Sequence, residues 1–132
     1  MINERIAFEV HGTPVPKQSF RYHKGGGHQD PRVEAWTELV AWAAKEAMAG
    51  AEPTTDIVSV TIAFMVPDNR RRDLDNLAKG VLDGMNNIVF LDDTQVHILH
   101  LTKQKCPENL GCLVEVGIIE REVITAHRME II

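Results

Sequence analysis

Cysteine is scarce in this chain. Cys106 and Cys112 are its two cysteines in 132 residues, too few for a disulfide scaffold. A zinc site built from these thiols with His97 and His100 is conceivable. The spacings match no usual ligand pattern, so free thiols in half-buried strands are the simpler account. Long apolar runs are missing as well, and none approaches the roughly 20 residues of a membrane span. The first ten residues, MINERIAFEV, lack the plan of a signal peptide. No membrane partner is expected, and the cytoplasm is the default location. No repeat or low-complexity tract appears. Positive charge is the minority sign: 14 Lys and Arg face 19 Asp and Glu, a net charge of -5, which counts against DNA binding by the whole surface.

What is present suits one soluble globular domain. Apolar residues make up 44%, and the length is enough for one core and short for two. Ile6, Phe8 and Val10 alternate with Ala7, Glu9 and His11, the pattern of a strand. Residues 12–29, with Pro14, Pro16 and the Gly25–Gly27 run, read as a mobile basic loop. Asp30 to Ala49 reads as a helix capped by Asp30 with Pro31 at its first position. Its expected apolar face is Trp36, Leu39, Val40, Ala43 and Ala47, with Trp42 also assigned to the core. Asp56 to Val66 is the clearest strand, apolar enough to be central in its sheet. A second helix follows, with Leu77, Ala78, Val81, Leu82 and Met85 as its apolar face. Gln95–Thr102 and Cys112–Glu120 read as two more strands joined by a turn. The tail, residues 121–132, places Val123, Ile124, His127 and Ile131 on one helical face. The order strand, helix, strand, helix, strand, strand predicts an α+β fold: a mixed sheet of about four strands with two main packed helices.

Residues 69–93, NRRRDLDNLAKGVLDGMNNIVFLDD, carry the chemistry. Asp73 and Asp75 would point to one side of an extended segment, with Asp75 as the cap of the second helix. Two carboxylates at a helix start, where backbone N–H groups favour anions, present hard oxygen donors suited to Mg²⁺ or Mn²⁺. Lys79 lies one turn further on. Arg70, Arg71 and Arg72 would offset the repulsion between the acids and meet phosphates. Asp92 and Asp93 end the apolar run 88–91, and one or both could complete a ligand set. A competing account makes these residues ordinary caps and surface ion pairs. Against it stands the number of acids around a helix that needs a single cap.

The segment RRRDLDNLAKGVLDGMN followed by FLDDTQV resembles the RusA-type Holliday junction resolvases. The likeness spans roughly residues 4–120 and is strongest from Pro67 to Val96. It implies a similar fold, a dimeric Mg²⁺-dependent endonuclease, and catalytic carboxylates at Asp73, Asp75 and Asp93 that bind the metal. It places the essential lysine at Lys79, puts an acidic neighbour at Asp92, and implies that Asp93 lies near Asp75. No small-molecule cofactor is implied. The expected substrate is four-way DNA, cut by paired phosphodiester hydrolysis. A junction with a near two-fold axis needs two sites, which a homodimer supplies.

Three basic blocks are candidates for the DNA backbone: Lys17, Arg21 and Lys24 in the loop, Arg70 to Arg72, and Lys103 with Lys105. Phe20 and Tyr22 could stack on a base or simply anchor the loop. Other readings are a nuclease for flaps or other branched DNA, a catalytically silent nucleic-acid-binding module, and a protein-interaction domain with a salt-bridged surface. The first is separated by a substrate panel, the other two by absence of metal-stimulated cleavage.

Overall fold

The structure is a computed structural model, and it describes residues 5–17 and 30–119. Its elements are β1 (Arg5–His11), α1 (Pro31–Met48), β2 (Val58–Val66), α2 (Leu74–Met85), β3 (Val96–Lys105) and β4 (Gly111–Ile118). They fall in the predicted order and form one four-stranded sheet, β1-β4-β2-β3. β4 runs antiparallel to both β1 and β2, whereas β2 and β3 are parallel. Parallel neighbours need a crossover, and α2 is that crossover. Strand β2 is central, as its composition predicts. β3 reaches three residues further than expected, to Lys105, and β4 stops at Ile118.

Alternation in β2 decides where the core lies. Val58, Val60, Ile62, Phe64 and Val66 are buried, while Ser59, Thr61, Ala63 and Met65 lie on the more open face. The register sets Ile62 beside Val114, Val60 beside Val116 and Phe64 beside Cys112, so the same face of β4 joins the core. Burying each such aliphatic or aromatic side chain contributes about 1.5–3 kcal/mol. Both helices cover this face. Burial in an apolar layer pushes the Cys112 thiol up to about 12, consistent with an inert structural cysteine.

Helix α1 starts as its sequence dictates. The Asp30 carboxylate accepts the Arg32 backbone N–H at 2.9 Å, and Pro31 follows the cap. Its buried stripe is Val33, Trp36, Val40, Ala44 and Met48, rotated from the expected one. Leu39 is 45% exposed and Trp42 66% exposed, which corrects the assignment of Trp42 to the core. The cause is the α1–α2 crossing. A Cβ on Gly84 would stand 2.7 Å from Val40 Cγ1 and 3.0 Å from the Thr37 carbonyl oxygen, so α2 approaches α1 along the Val40 line. Gly111 is constrained more tightly: at φ +147° its Cβ would lie 1.9 Å from the Val10 carbonyl oxygen. Among the described residues, no helix is long and apolar enough to cross a membrane.

Candidate active site

The chain leaves β2 through Pro67 and enters a loop that Asp68 and Arg72 staple shut. Asp68 Oδ1 accepts the Arg70 backbone N–H at 2.9 Å and Arg72 Nη1 at 2.7 Å. Arg72 Nη1 also lies 3.4 Å from the Asp68 carbonyl oxygen and 3.3 Å from that of Arg70. The Arg72 hydrogen bond, then that from the Arg70 backbone, holds the Asp68 carboxyl below its ordinary value. The three arginines therefore divide. Arg72, whose side chain is only 14% exposed, holds the loop and does not face solvent as a phosphate contact, contrary to the expectation from sequence. Arg70 and Arg71 are 85% and 88% exposed.

This loop presents the start of α2. The cap is Asp73, not Asp75 as the sequence suggested, and Asp75 lies in the first turn. Leu74 packs against the core, and that contact begins the helix one residue after Asp73. The Asp73 carbonyl oxygen accepts the Leu77 N–H at 3.1 Å, yet its carboxylate makes no capping hydrogen bond. Its one polar contact among the described residues is Arg71 Nε at 3.5 Å, a long one. Asp75 is exposed and has no hydrogen-bond partner among the described residues. Lys79, exposed, donates to Asn76 Oδ1 at 3.2 Å. Two carboxylates and an ammonium thus sit at a helix N-terminus with their polar atoms almost unengaged, an arrangement that invites a cation and an anionic substrate together.

Lys17 is held along α2 itself. Its ammonium pairs with Asp83, and its backbone N–H donates to the Asn76 carbonyl oxygen at 2.9 Å. It docks the root of the basic loop on the helix, so its charge is partnered within the chain. Arg21, Lys24, Phe20 and Tyr22, and the tail 121–132, lie outside the described residues.

At its far end α2 stops at Met85, with Asn86 as cap and Asn87 in the left-handed region at φ 64°. The chain then turns through Asp92 and Asp93 into β3. Gln95 fixes this turn. Its Oε1 accepts the N–H groups of Leu91 and Asp92 at 2.9 and 3.0 Å, and its Nε2 donates to the carbonyl oxygens of Thr54 and Asp56 at 2.8 and 2.9 Å. The Asp92 carboxylate accepts the Thr94 hydroxyl at 2.7 Å, whereas the Asp93 carboxylate has no hydrogen-bond partner among the described residues.

Topology then separates the acids. Asp73 and Asp75 follow the C-terminal end of β2, and Asp93 precedes the N-terminal end of β3. Because these strands are parallel, the two groups sit at opposite ends of α2, whose 12 residues rise roughly 18 Å. Among the described residues no three of His, Cys, Asp and Glu are grouped so that they could hold a metal ion. The expectation that the sheet brings Asp93 near Asp75 is therefore corrected within a single chain. The same observation leaves the Cys106, Cys112, His97 and His100 set without support; Cys106 Sγ instead donates to Glu108.

The parallel register does bring two basic blocks together. Val66 pairs with Lys105 and Phe64 with Lys103, so the end of β3 lies beside the arginine loop. Asn69, Arg70, Arg71, Lys103, Gln104 and Lys105 line one shallow cleft, and the Lys103 ammonium donates to the Arg72 carbonyl oxygen. Exposed cations of two sequence-distant blocks stand next to the helix start that carries Asp73 and Asp75.

A family model described as "Endodeoxyribonuclease RusA" matches residues 11–117, which include every residue named in this site. The chain belongs to the RusA endodeoxyribonuclease family. It is 33% identical over 108 residues to the crossover junction endodeoxyribonuclease RusA of Escherichia coli (strain K12), covering 81% of this chain and 88% of that protein. The namesake from Aquifex aeolicus is 28% identical over 116 residues, 86% of this chain and 91% of that protein. That of Enterobacteria phage 82 is 32% identical over 108 residues, 81% of this chain and 88% of that protein. In this RusA domain the residue that sequence reasoning valued too little is Gln95. It appeared there as part of a pattern, and its spacing after Asp92 carries no sign that it ties the acidic turn to Thr54 and Asp56, some 40 residues earlier.

Proposed function

We propose that this protein is a crossover junction endodeoxyribonuclease that acts in the cytoplasm as a homodimer on four-way DNA. The observation that carries this reading is the start of α2, where Asp73, Asp75 and Lys79 stand with free polar atoms beside the cleft of Arg70, Arg71, Lys103 and Lys105. The family membership supplies the reaction class.

The donor set fits Mg²⁺ or Mn²⁺ in its chemistry, being all hard oxygen. Among the described residues one chain offers only Asp73 and Asp75 at the helix start, so a second copy would contribute Asp93 to complete the set. Asp92, tied to Thr94, would support its neighbour. When bound, the cation would activate water and neutralise charge developing on the scissile phosphate. The chain's own groups have separate tasks. Lys79, held toward Asn76, stabilises negative charge on the phosphoryl oxygens in the transition state. The unpaired N–H groups at the start of α2 favour an anion there. Arg70, Arg71, Lys103 and Lys105 grip the sugar-phosphate backbone without reading sequence. Two sites related by a two-fold axis match the symmetry of the junction, and selectivity then rests on the shape of the DNA.

The test is incubation with a synthetic mobile four-way junction, with and without Mg²⁺. Paired symmetric nicks that need the metal are expected. Cleavage of flaps at equal rate would reassign the substrate to branched DNA in general.

A further inference from the structure

Lys79 stands between two carboxylates on α2. Asp75 lies four residues before it and Asp83 four residues after it, and residues so spaced are neighbours on one helix face. Helical side chains lean toward the N-terminus of their helix. The Lys79 ammonium accordingly reaches back toward the start of α2, where it donates to Asn76 Oδ1 at 3.2 Å. The same lean carries the Asp83 side chain over the turn that holds Lys79. A free carboxylate there would compete with the start of the helix for the ammonium. It is not free: the ammonium of Lys17, 66 residues away in sequence, donates to Asp83 Oδ2, and both side chains are 33% exposed. The Lys17 backbone N–H is bound at 2.9 Å to the Asn76 carbonyl oxygen. Lys17 thus runs along α2 from the level of Asn76 to that of Asp83, past Lys79, a rise of roughly 10 Å.

We propose that Lys17 is a positioning residue for cleavage: by occupying Asp83 it denies Lys79 a partner on the far side, and so keeps that ammonium directed at the phosphate beside Asp73 and Asp75. The proposal rests on the part given to Lys79 above and adds how that lysine is kept available. Three observations carry it. First, the Lys17 charge is engaged within the chain, in a half-buried pair, whereas Arg70 and Arg71 offer the DNA side chains that are 85% and 88% exposed. Second, the Asp83 carboxylate has no partner among the described residues besides Lys17. Third, the one partner of the Lys79 ammonium among the described residues is a neutral amide oxygen, which holds a cation less strongly than a carboxylate does. A half-buried carboxylate stripped of its counter-ion is costly to leave unpaired, and Lys79 is the cation one turn away on the same helix.

The competing account is that Lys17 merely fastens the root of the basic loop, or touches DNA. Either role is lost with the lysine, whatever the charge at position 83. The experiment therefore removes the lysine with and without the carboxylate, in the full chain, and measures cleavage of a synthetic four-way junction with Mg²⁺. Far-UV circular dichroism confirms that each variant folds. Lys17→Met is expected to lower kcat about fivefold with KM nearly unchanged, because Asp83 then captures the Lys79 ammonium. Lys17→Met combined with Asp83→Asn lacks the ion pair as well, yet is expected to return kcat to within about twofold of wild type. Lys17→Arg, which keeps the positive charge at Asp83, is expected to hold it there. A second readout needs no cleavage. In the metal-free protein the Lys79 ε-methylene NMR signals, assigned by their loss in Lys79→Ala, should move in Lys17→Met and return in the double variant. A double variant as slow as Lys17→Met overturns the proposal, and so does a Lys17→Met protein with wild-type kcat. Wild-type turnover in Lys79→Ala overturns instead the reading of Lys79 on which the proposal stands.

Discussion

The two ends of α2 are built in opposite ways. At its start the functional side chains are loosely engaged: Asp73 has one contact at 3.5 Å, and Lys79 reaches only its neighbour Asn76. At its finish Gln95 bonds four backbone groups, and Thr94 holds Asp92. The start leaves polar atoms free for ligands and fixes them through the backbone, with Arg72 and Asp68 binding the loop before the helix. The finish leaves a single carboxylate free, Asp93, on a clamped turn. The site proposed above, divided this way, would need rigid mounts on both sides, because neither half could adjust the other within one chain.

The most decisive way to break this picture is to disable each end separately. Asp75→Asn and Asp93→Asn are each expected to lower cleavage about 1000-fold or more, with junction binding retained. Mixing the two inactive proteins then distinguishes a shared site from a self-contained one. If each site draws Asp75 from one copy and Asp93 from the other, every mixed dimer has one intact site and one doubly damaged site. Random assortment of equal amounts would restore about a quarter of the wild-type sites, with single nicks replacing paired cuts. If each chain builds its own site, mixing restores nothing.

A smaller effect separates chemistry from grip at the start of α2. Lys79→Ala should lower turnover by roughly 100-fold or more while the junction dissociation constant changes little. Arg71→Ala and Lys105→Ala should do the reverse, weakening binding and reducing the slope of log affinity against log salt by about one for each charge removed. Arg72→Ala should leave that slope unchanged and lower stability instead, since its guanidinium serves the loop. A changed slope in Arg72→Ala would return it to the interface.

At the finish the sharper probe is Gln95→Glu. The carboxylate can still accept the N–H groups of Leu91 and Asp92 but cannot donate to Thr54 and Asp56, leaving two carbonyl oxygens without their donor. A stability loss of about 1–3 kcal/mol is expected. Amide hydrogen exchange at Leu91 and Asp92 should also rise. Unchanged exchange would show that the turn holds without the clamp.

How much of this was legible in the sequence depends on the range of the interactions. The Asp30–Pro31 helix start and the alternation of β2 are local, and each is written within a few residues. The family likeness named Asp73, Asp75, Asp93 and Lys79 but set Asp93 near Asp75, a placement that one chain does not make. What the chain did not disclose were consequences of pairing and packing. The parallel run of β2 and β3 sets Asp93 apart from Asp75 and draws Lys103 and Lys105 to the arginine loop, and no spacing encodes that choice. Trp42 was misplaced because the crossing of α1 on α2 at Gly84, a tertiary contact, selects which stripe is buried. Arg72 looked like its two neighbours, and only the fold of the loop turns it inward.

The smallest effect tests the staple that holds the start of α2. The Asp68 carboxyl lies below its ordinary value of 3.8 because Arg72, and then the Arg70 backbone, donates to its charged form. A depressed carboxylate contributes stability that is complete above the unfolded value and disappears as pH falls through the folded one. The loop should therefore be indifferent to pH from neutrality down to about 4 and loosen below it. Asp68→Asn should loosen it at every pH, because the amide keeps an acceptor for the Arg70 N–H but loses the charge that holds Arg72. The measurement is amide exchange across residues 68–75 at pH 7, read beside residues 91–95, which contain no Asp68 contact. Loosening confined to the first segment would show that the two ends of α2 are supported independently. Equal loosening of both would mean that the staple and the Gln95 clamp act through one cooperative unit, and the division between the ends would then describe side chains alone.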